Sequence, residues 1–170
     1  MGLKETVMRL LEMADSAGLK RLVAQDPRAV RHLVGRLWDP EPEIRYNAAR
    51  AIGVVAALRP ESGRELARRF MWALNDESAT NGAYVVSALG EIGYHDPDLL
   101  APFVAPLASH LRDDGLRPEI LLALSRIAER QPGLVKRVRG ELEQYRNVGD
   151  TTQRKLVEQL LECKGSENGT

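Results

Sequence analysis

Apolar residues recur along the chain at the three- and four-residue spacing of amphipathic helices. Val30, Leu33, Val34 and Leu37 form one stripe, which Trp38 extends. Ile44, Ala48, Ala51, Ile52 and Val55 form the next. Leu66, Phe70, Met71 and Leu74 follow, then Val85, Ala88, Leu89 and Ile92. Leu121, Leu124, Ile127 and Ala128 repeat the pattern, and Leu156, Val157, Leu160 and Leu161 close it. Asp26-Pro27, Arg59-Pro60, Asp96-Pro97 and Gln131-Pro132 stand between these stretches. Proline there either starts a helix or stops the previous one from continuing. The pattern predicts helix pairs over 27–58, 61–94, 97–131 and 133–163, preceded by a helical cap in 1–26 and followed by a disordered tail, 164–170, all in one domain. Pro102 and Pro106 fall inside 98–112, where a helix is expected to begin late or to kink.

The stripes repeat. Asp39, Asp76, Asp113 and Asp150 are each 37 residues apart, with Leu37, Leu74, Leu111 and Val148 two residues before them. Ala51-Ile52-Gly53-Val54-Val55-Ala56 aligns with Ala88-Leu89-Gly90-Glu91-Ile92-Gly93 at the same shift, and with Ala123-Leu124-Ser125-Arg126-Ile127-Ala128 after 35 more. Small residues hold the first and third places. Gly53 and Gly90 are therefore expected inside helices at close helix–helix contacts, because glycine costs a helix about 1 kcal/mol relative to alanine and needs a packing reason. Helix pairs at this period predict an all-α fold, a right-handed α-solenoid of stacked antiparallel helix pairs.

The run Asp39-Pro40-Glu41-Pro42-Glu43-Ile44-Arg45, followed by Ala48, Ala51, Ile52 and Gly53, resembles a HEAT repeat. It is most similar to the short bacterial and archaeal repeats related to phycobilisome lyases. The resemblance covers about residues 27–163. The second copy has Gly82 where Arg45 stands, and the third has Arg117 followed by Pro118. In the family, the turn aspartate and this arginine commonly tie neighbouring repeats together. The resemblance implies that role for Asp39 with Arg45 and, roughly, for Asp113 with Arg117. It also implies scaffolding and protein binding. Trp72-Ala73-Leu74-Asn75-Asp76-Glu77-Ser78 resembles a loop of HEAT-like proteins from anaerobic microbes. This chain departs from that loop at Ala79 and Thr80, and the likeness implies a surface, not a chemistry.

Composition narrows the function. Of the 170 residues 44% are hydrophobic and 28% charged, which is globular, and 24 basic side chains balance 24 acidic ones. A neutral total argues against nucleic acid as a partner, since phosphate binding needs a basic surplus. The charge is uneven, however. Residues 20–69 carry eleven Lys/Arg against six Asp/Glu, whereas 70–111 carry five acids and no Lys or Arg. No run approaches the roughly 20 apolar residues of a membrane span, so no membrane partner is expected. The first 19 residues read as an amphipathic helix rather than a signal peptide. Cys163 is the single cysteine, which excludes an intramolecular disulfide and fits a reducing, cytoplasmic setting.

Chemistry-bearing motifs are sparse. His32, His95 and His110 lack a His or Cys at metal-ligand spacing, and neither a phosphate loop nor a nucleophile elbow is present. The expectation is a non-enzymatic protein-interaction scaffold or adaptor with no cofactor and no metal. It would bind a protein or peptide partner on its concave helix face. Positions off the second-helix stripes align across copies as Asn47, Tyr84 and Glu119; Arg50, Ser87 and Leu122; and Val54, Glu91 and Arg126. The partner site is expected at Asn47, Arg50, Tyr84, Ser87 and Glu91. The loop from Asn75 to Asn81, with Asn75, Glu77 and Asn81, would form its rim. Trp72, off its own stripe beside Glu65, Arg68 and Arg69, is placed as a neighbour, and Trp38 is read as core. Two alternatives stand beside this. The lyase resemblance implies an accessory role in cofactor attachment or maturation. A HEAT-like DNA glycosylase would need a continuous basic groove.

Overall fold

The computed structural model describes residues 1–76 and 82–163. Of these, 80% are helical, and no strand occurs among them. The first helices are α1 (Leu3–Glu12), α2 (Ser16–Gln25) and α3 (Ala29–Gly35), the last running on as a 3-10 turn, Arg36–Trp38. Then come α4 (Pro42–Leu58), α5 (Pro60–Asn75) and α6 (Gly82–His95). The next stretch is broken into α7 (Pro97–Leu100) and α8 (Val104–Ser109), with 3-10 turns at Ala101–Phe103 and His110–Arg112. The remainder is α9 (Arg117–Ala128), α10 (Pro132–Lys136), α11 (Arg139–Glu143) and α12 (Thr151–Glu162). No helix among the described residues is long and apolar enough to cross a membrane.

Local chemistry sets these limits. Pro42, Pro60, Pro97, Pro118 and Pro132 sit in the first two positions of their helices, where the missing N–H costs nothing. The interruption expected around Pro102 and Pro106 is present, and it falls at the 3-10 turn that contains Pro102. The repeating aspartates close turns. Asp39 and Asp113 each accept the backbone N–H two residues on, at 3.1 and 2.9 Å, while Asp150 caps α12 by accepting from Gln153 at 2.8 Å. Asp39 also pairs with Arg36 at 2.9 Å, and that guanidinium holds its carboxyl below the usual range.

Arg45 and Arg117 do not join the turn aspartates across repeats. Arg45 donates to the carbonyls of Asp39 and Pro40, at 2.6 and 3.0 Å, and Arg117 to that of Leu111 at 2.7 Å. These carbonyls belong to the turns that precede α4 and α9. Each guanidinium also faces a tyrosine further along the chain: Arg45 lies 4.7 Å from the Tyr84 ring centre and Arg117 5.0 Å from that of Tyr145. Arg117 also pairs with Asp114 in its own turn, so the longer-range contact of these two arginines is cation on ring.

One row of helices carries the core. In it α2 packs on α4, α4 on α6, α6 on α9 and α9 on α12. The remaining helices flank it, α3 and α5 against α4, and α8 and α10 against α9. Ile52, Leu89, Ile92, Ile120 and Leu121 are fully buried within it. Close approach depends on two glycines. A Cβ on Gly53 would lie 2.6 Å from the Glu91 carbonyl oxygen, and one on Gly90 would lie 2.9 Å from the Ala123 Cα. Trp38 corrects the sequence reading: it is 41% exposed, while Leu37 takes the core position. The chain tightens into a 3-10 turn at residues 36–38, which ends the stripe at Leu37 and turns Trp38 outward.

Gly53→Leu and Gly90→Leu should each cost about 1–3 kcal/mol, because backbone atoms block the added side chain. A Cβ on Gly140, in α11, would meet nothing within 4 Å, so Gly140→Ala should match the parent or exceed it by up to about 1 kcal/mol. Thermal and urea unfolding measure all three. Unchanged melting of both leucine variants would contradict the packing described.

Candidate partner-binding surface

Residues three or four apart on a helix share a face. On the row just described, this aligns Tyr46 and Arg50 of α4, Tyr84, Ser87 and Glu91 of α6, and Glu119, Leu122 and Arg126 of α9. The three faces border a hollow of about 500 Å³ that runs from Tyr46 and Arg50 across Ser87 to Leu122 and Arg126. A smaller hollow of about 240 Å³, reaching Arg45 and Tyr84, shares Tyr46, Ser87 and Glu119 with it. The two form one trough. Tyr46 is 55% exposed and Leu122 50%, so a large apolar side chain stands open on each flank.

The trough is electrically mixed. Arg126 forks onto Glu91, with nitrogen–oxygen distances of 3.0 and 3.3 Å, and reaches Glu129 at 2.9 Å. Its guanidinium lies 3.4 Å from the centre of the Tyr94 ring, with Arg130 at 5.4 Å from the same centre. Arg50 stacks 5.5 Å from the Tyr46 ring centre and has no ion-pair partner among the described residues. Burial holds His95 below the usual histidine range. Glu91 pulls the other way, but Arg126, Arg130 and Arg50 add to the lowering. Burial pushes the Glu119 carboxyl up. No group of three or more His, Cys, Asp and Glu among the described residues is placed to hold a metal ion.

The structure sorts the residues expected from sequence. Arg50, Tyr84, Ser87 and Glu91 come together in the trough. Glu91 is not on an open face, however, being only 7% exposed. The approach of Gly53 to its backbone presses that part of α6 inward, leaving the carboxylate to reach Arg126. Asn47 is half-buried, and its amide donates to the Leu11 carbonyl at 3.0 Å, fastening α4 to α1. Glu77 and Asn81 lie outside the described residues. Trp72 and Asn75, on α5, border no part of the trough.

Trp72 is 71% exposed and lines a separate hollow of about 400 Å³ with Trp38. Val34, Phe70, Ala73 and Val85 complete its apolar wall, and Glu65, Arg68 and Arg69 border it. Sequence reasoning missed Tyr46 altogether. The repeat alignment selected Asn47, one residue away, although Tyr46 lies one turn before Arg50 and so shares its face.

Glu119 gives a pH test. Its folded carboxyl titrates above its unfolded value because burial disfavours the charge. Folding therefore favours the protonated form, and the stability this group contributes falls as pH rises through the carboxylate range. Glu119→Gln should accordingly melt above the parent at pH 7, with the gap closing as pH falls toward 4. A gap that widens on acidification, measured by thermal unfolding at each pH, would contradict the burial assigned to Glu119.

No family model matches the chain, and no curated protein matches it. Among solved structures it is similar to the crystal structure of an engineered protein. The TM-score is 0.61 and the identity 22%, over 94% of this chain and 71% of that one. At this identity the likeness concerns the fold alone: this arrangement of helices is one that an engineered chain also adopts.

Proposed function

We propose that this chain is a protein-interaction module, a HEAT-like right-handed solenoid that binds a peptide segment of a protein partner along the α4–α6–α9 trough. The observation that carries this reading is a pair of hollows that share Tyr46, Ser87 and Glu119, with exposed Tyr46 and Leu122 among their lining. An open aromatic and an open leucine lining one hollow suit an apolar anchor side chain. Arg50, which has no carboxylate partner among the described residues, supplies a cation for an acidic neighbour of that anchor. Ser87 adds a hydroxyl between them.

The mixed charge favours a protein partner over nucleic acid. Glu91, Glu119 and Glu129 border the same channel as Arg50 and Arg126, so a phosphate backbone laid there would meet carboxylates. The same mixture orients a peptide and rejects wrong ones more than it adds bulk affinity. A role in cofactor attachment is less well supported, because the channel walls present open protein surface rather than an enclosed pocket.

Peptides selected from a display library on the parent protein test this reading. Arg50→Glu combined with Tyr46→Ala should weaken the selected peptides by about tenfold or more, as loss of an anchor contact does. Circular dichroism should show unchanged helicity, since both side chains are exposed. If the selected peptides bind the double variant as tightly as the parent, the trough is not the site.

A further inference from the structure

The hollow between α3 and α5 shares no lining residue with the trough. We propose that it is a second docking site, which receives a large apolar side chain from an acidic peptide segment of a partner protein. Its walls are Trp38 and Trp72, and its floor is Val34, buried Phe70 and buried Val85. Two tryptophans left open beside each other are unusual on a surface, where such side chains tend to be covered or to serve as anchors. The volume, about 400 Å³, falls in the range of small-molecule and side-chain pockets.

The rim selects the charge of the occupant. Arg68 is engaged by Glu65 at 2.9 Å, whereas Arg69 has no ion-pair partner among the described residues. The mouth therefore offers the Arg69 guanidinium, without an ion pair among the described residues, beside exposed aromatic faces. Acidic residues flanking an apolar anchor would complete both. A second copy of this chain is a poorer fit. A two-fold contact through this patch would set Arg69 of each copy against the other's arginines, a like-charge juxtaposition. A concave hollow also matches a single inserted side chain better than a flat lipid surface does.

The chain supplies its own reporter, since Trp38 and Trp72 are its only two tryptophans and both line this hollow. The probe is a tryptophan-free synthetic peptide with one phenylalanine flanked by aspartate and glutamate. Titration into the parent protein should give a saturable change in tryptophan emission. The peptide with serine in place of phenylalanine should bind about tenfold or more weakly, and added salt should weaken the acidic peptide further. Read by anisotropy of a labelled peptide, Trp72→Ala and Arg69→Glu should each produce a similar loss with helicity unchanged. Arg50→Glu with Tyr46→Ala should leave this binding intact, which separates the site from the trough. Any of four results would overturn the proposal. These are no saturable change, equal binding of a peptide with lysines in place of the acids, emission that shifts with protein concentration alone, and a response to anionic phosphatidylglycerol vesicles but not to the peptide.

Discussion

Much of the structure depends on how closely α4, α6 and α9 can approach. Gly53 lies against the backbone of Glu91, and Gly90 against that of Ala123. Each glycine gives up helix propensity, about 1 kcal/mol relative to alanine, and in return two backbones meet without an intervening side chain. Dispersion between densely packed atoms then adds along the whole row. The approach also draws Glu91 below the surface, which fixes the carboxylate that Arg126 grips and places Arg126 over Tyr94. Spacing, burial and charge in the trough thus share one cause.

The arginines at the turns couple this row to its loops. Arg45 and Arg117 reach back to carbonyls of the turns before their helices, and each lays its cation near a tyrosine further along the chain. A cation on a half-buried ring such as Tyr84 or Tyr145 contributes on the order of 1 kcal/mol, far less than burial of the core. The contact therefore does not hold the units together by itself. It places Arg45 and Tyr84 together on the wall of the trough.

The helices were legible because their signals are local. Apolar stripes at the helical period, prolines at first turns and aspartates that close turns act within a few residues, and Gly53 and Gly90 announced close contacts by their cost to a helix. The surface was legible only in part. Arg50, Tyr84 and Ser87 follow from the repeat shift, but Glu91 is buried by a neighbouring backbone that no stripe describes. Trp38 turns outward because a 3-10 ending replaces the last helical turn, and sequence periodicity assumes that the turn continues. Trp72 stood out as off its stripe, yet its companion in the hollow lies on another helix, 34 residues earlier. Tyr46 was passed over because the repeat shift pairs Asn47 with Tyr84, whereas the exposed ring on α4 stands one residue earlier.

The central claim is that a trough built by glycine contacts is the surface on which a partner peptide lies. Backbone amide NMR of the isotopically labelled chain, titrated with a peptide selected on the parent protein, tests it most directly. Saturable shifts are expected at Tyr46, Arg50, Ser87, Leu122 and Arg126, with α1 and α12 unaffected. Shifts spread evenly over the chain, or confined to helices outside α4, α6 and α9, would contradict it.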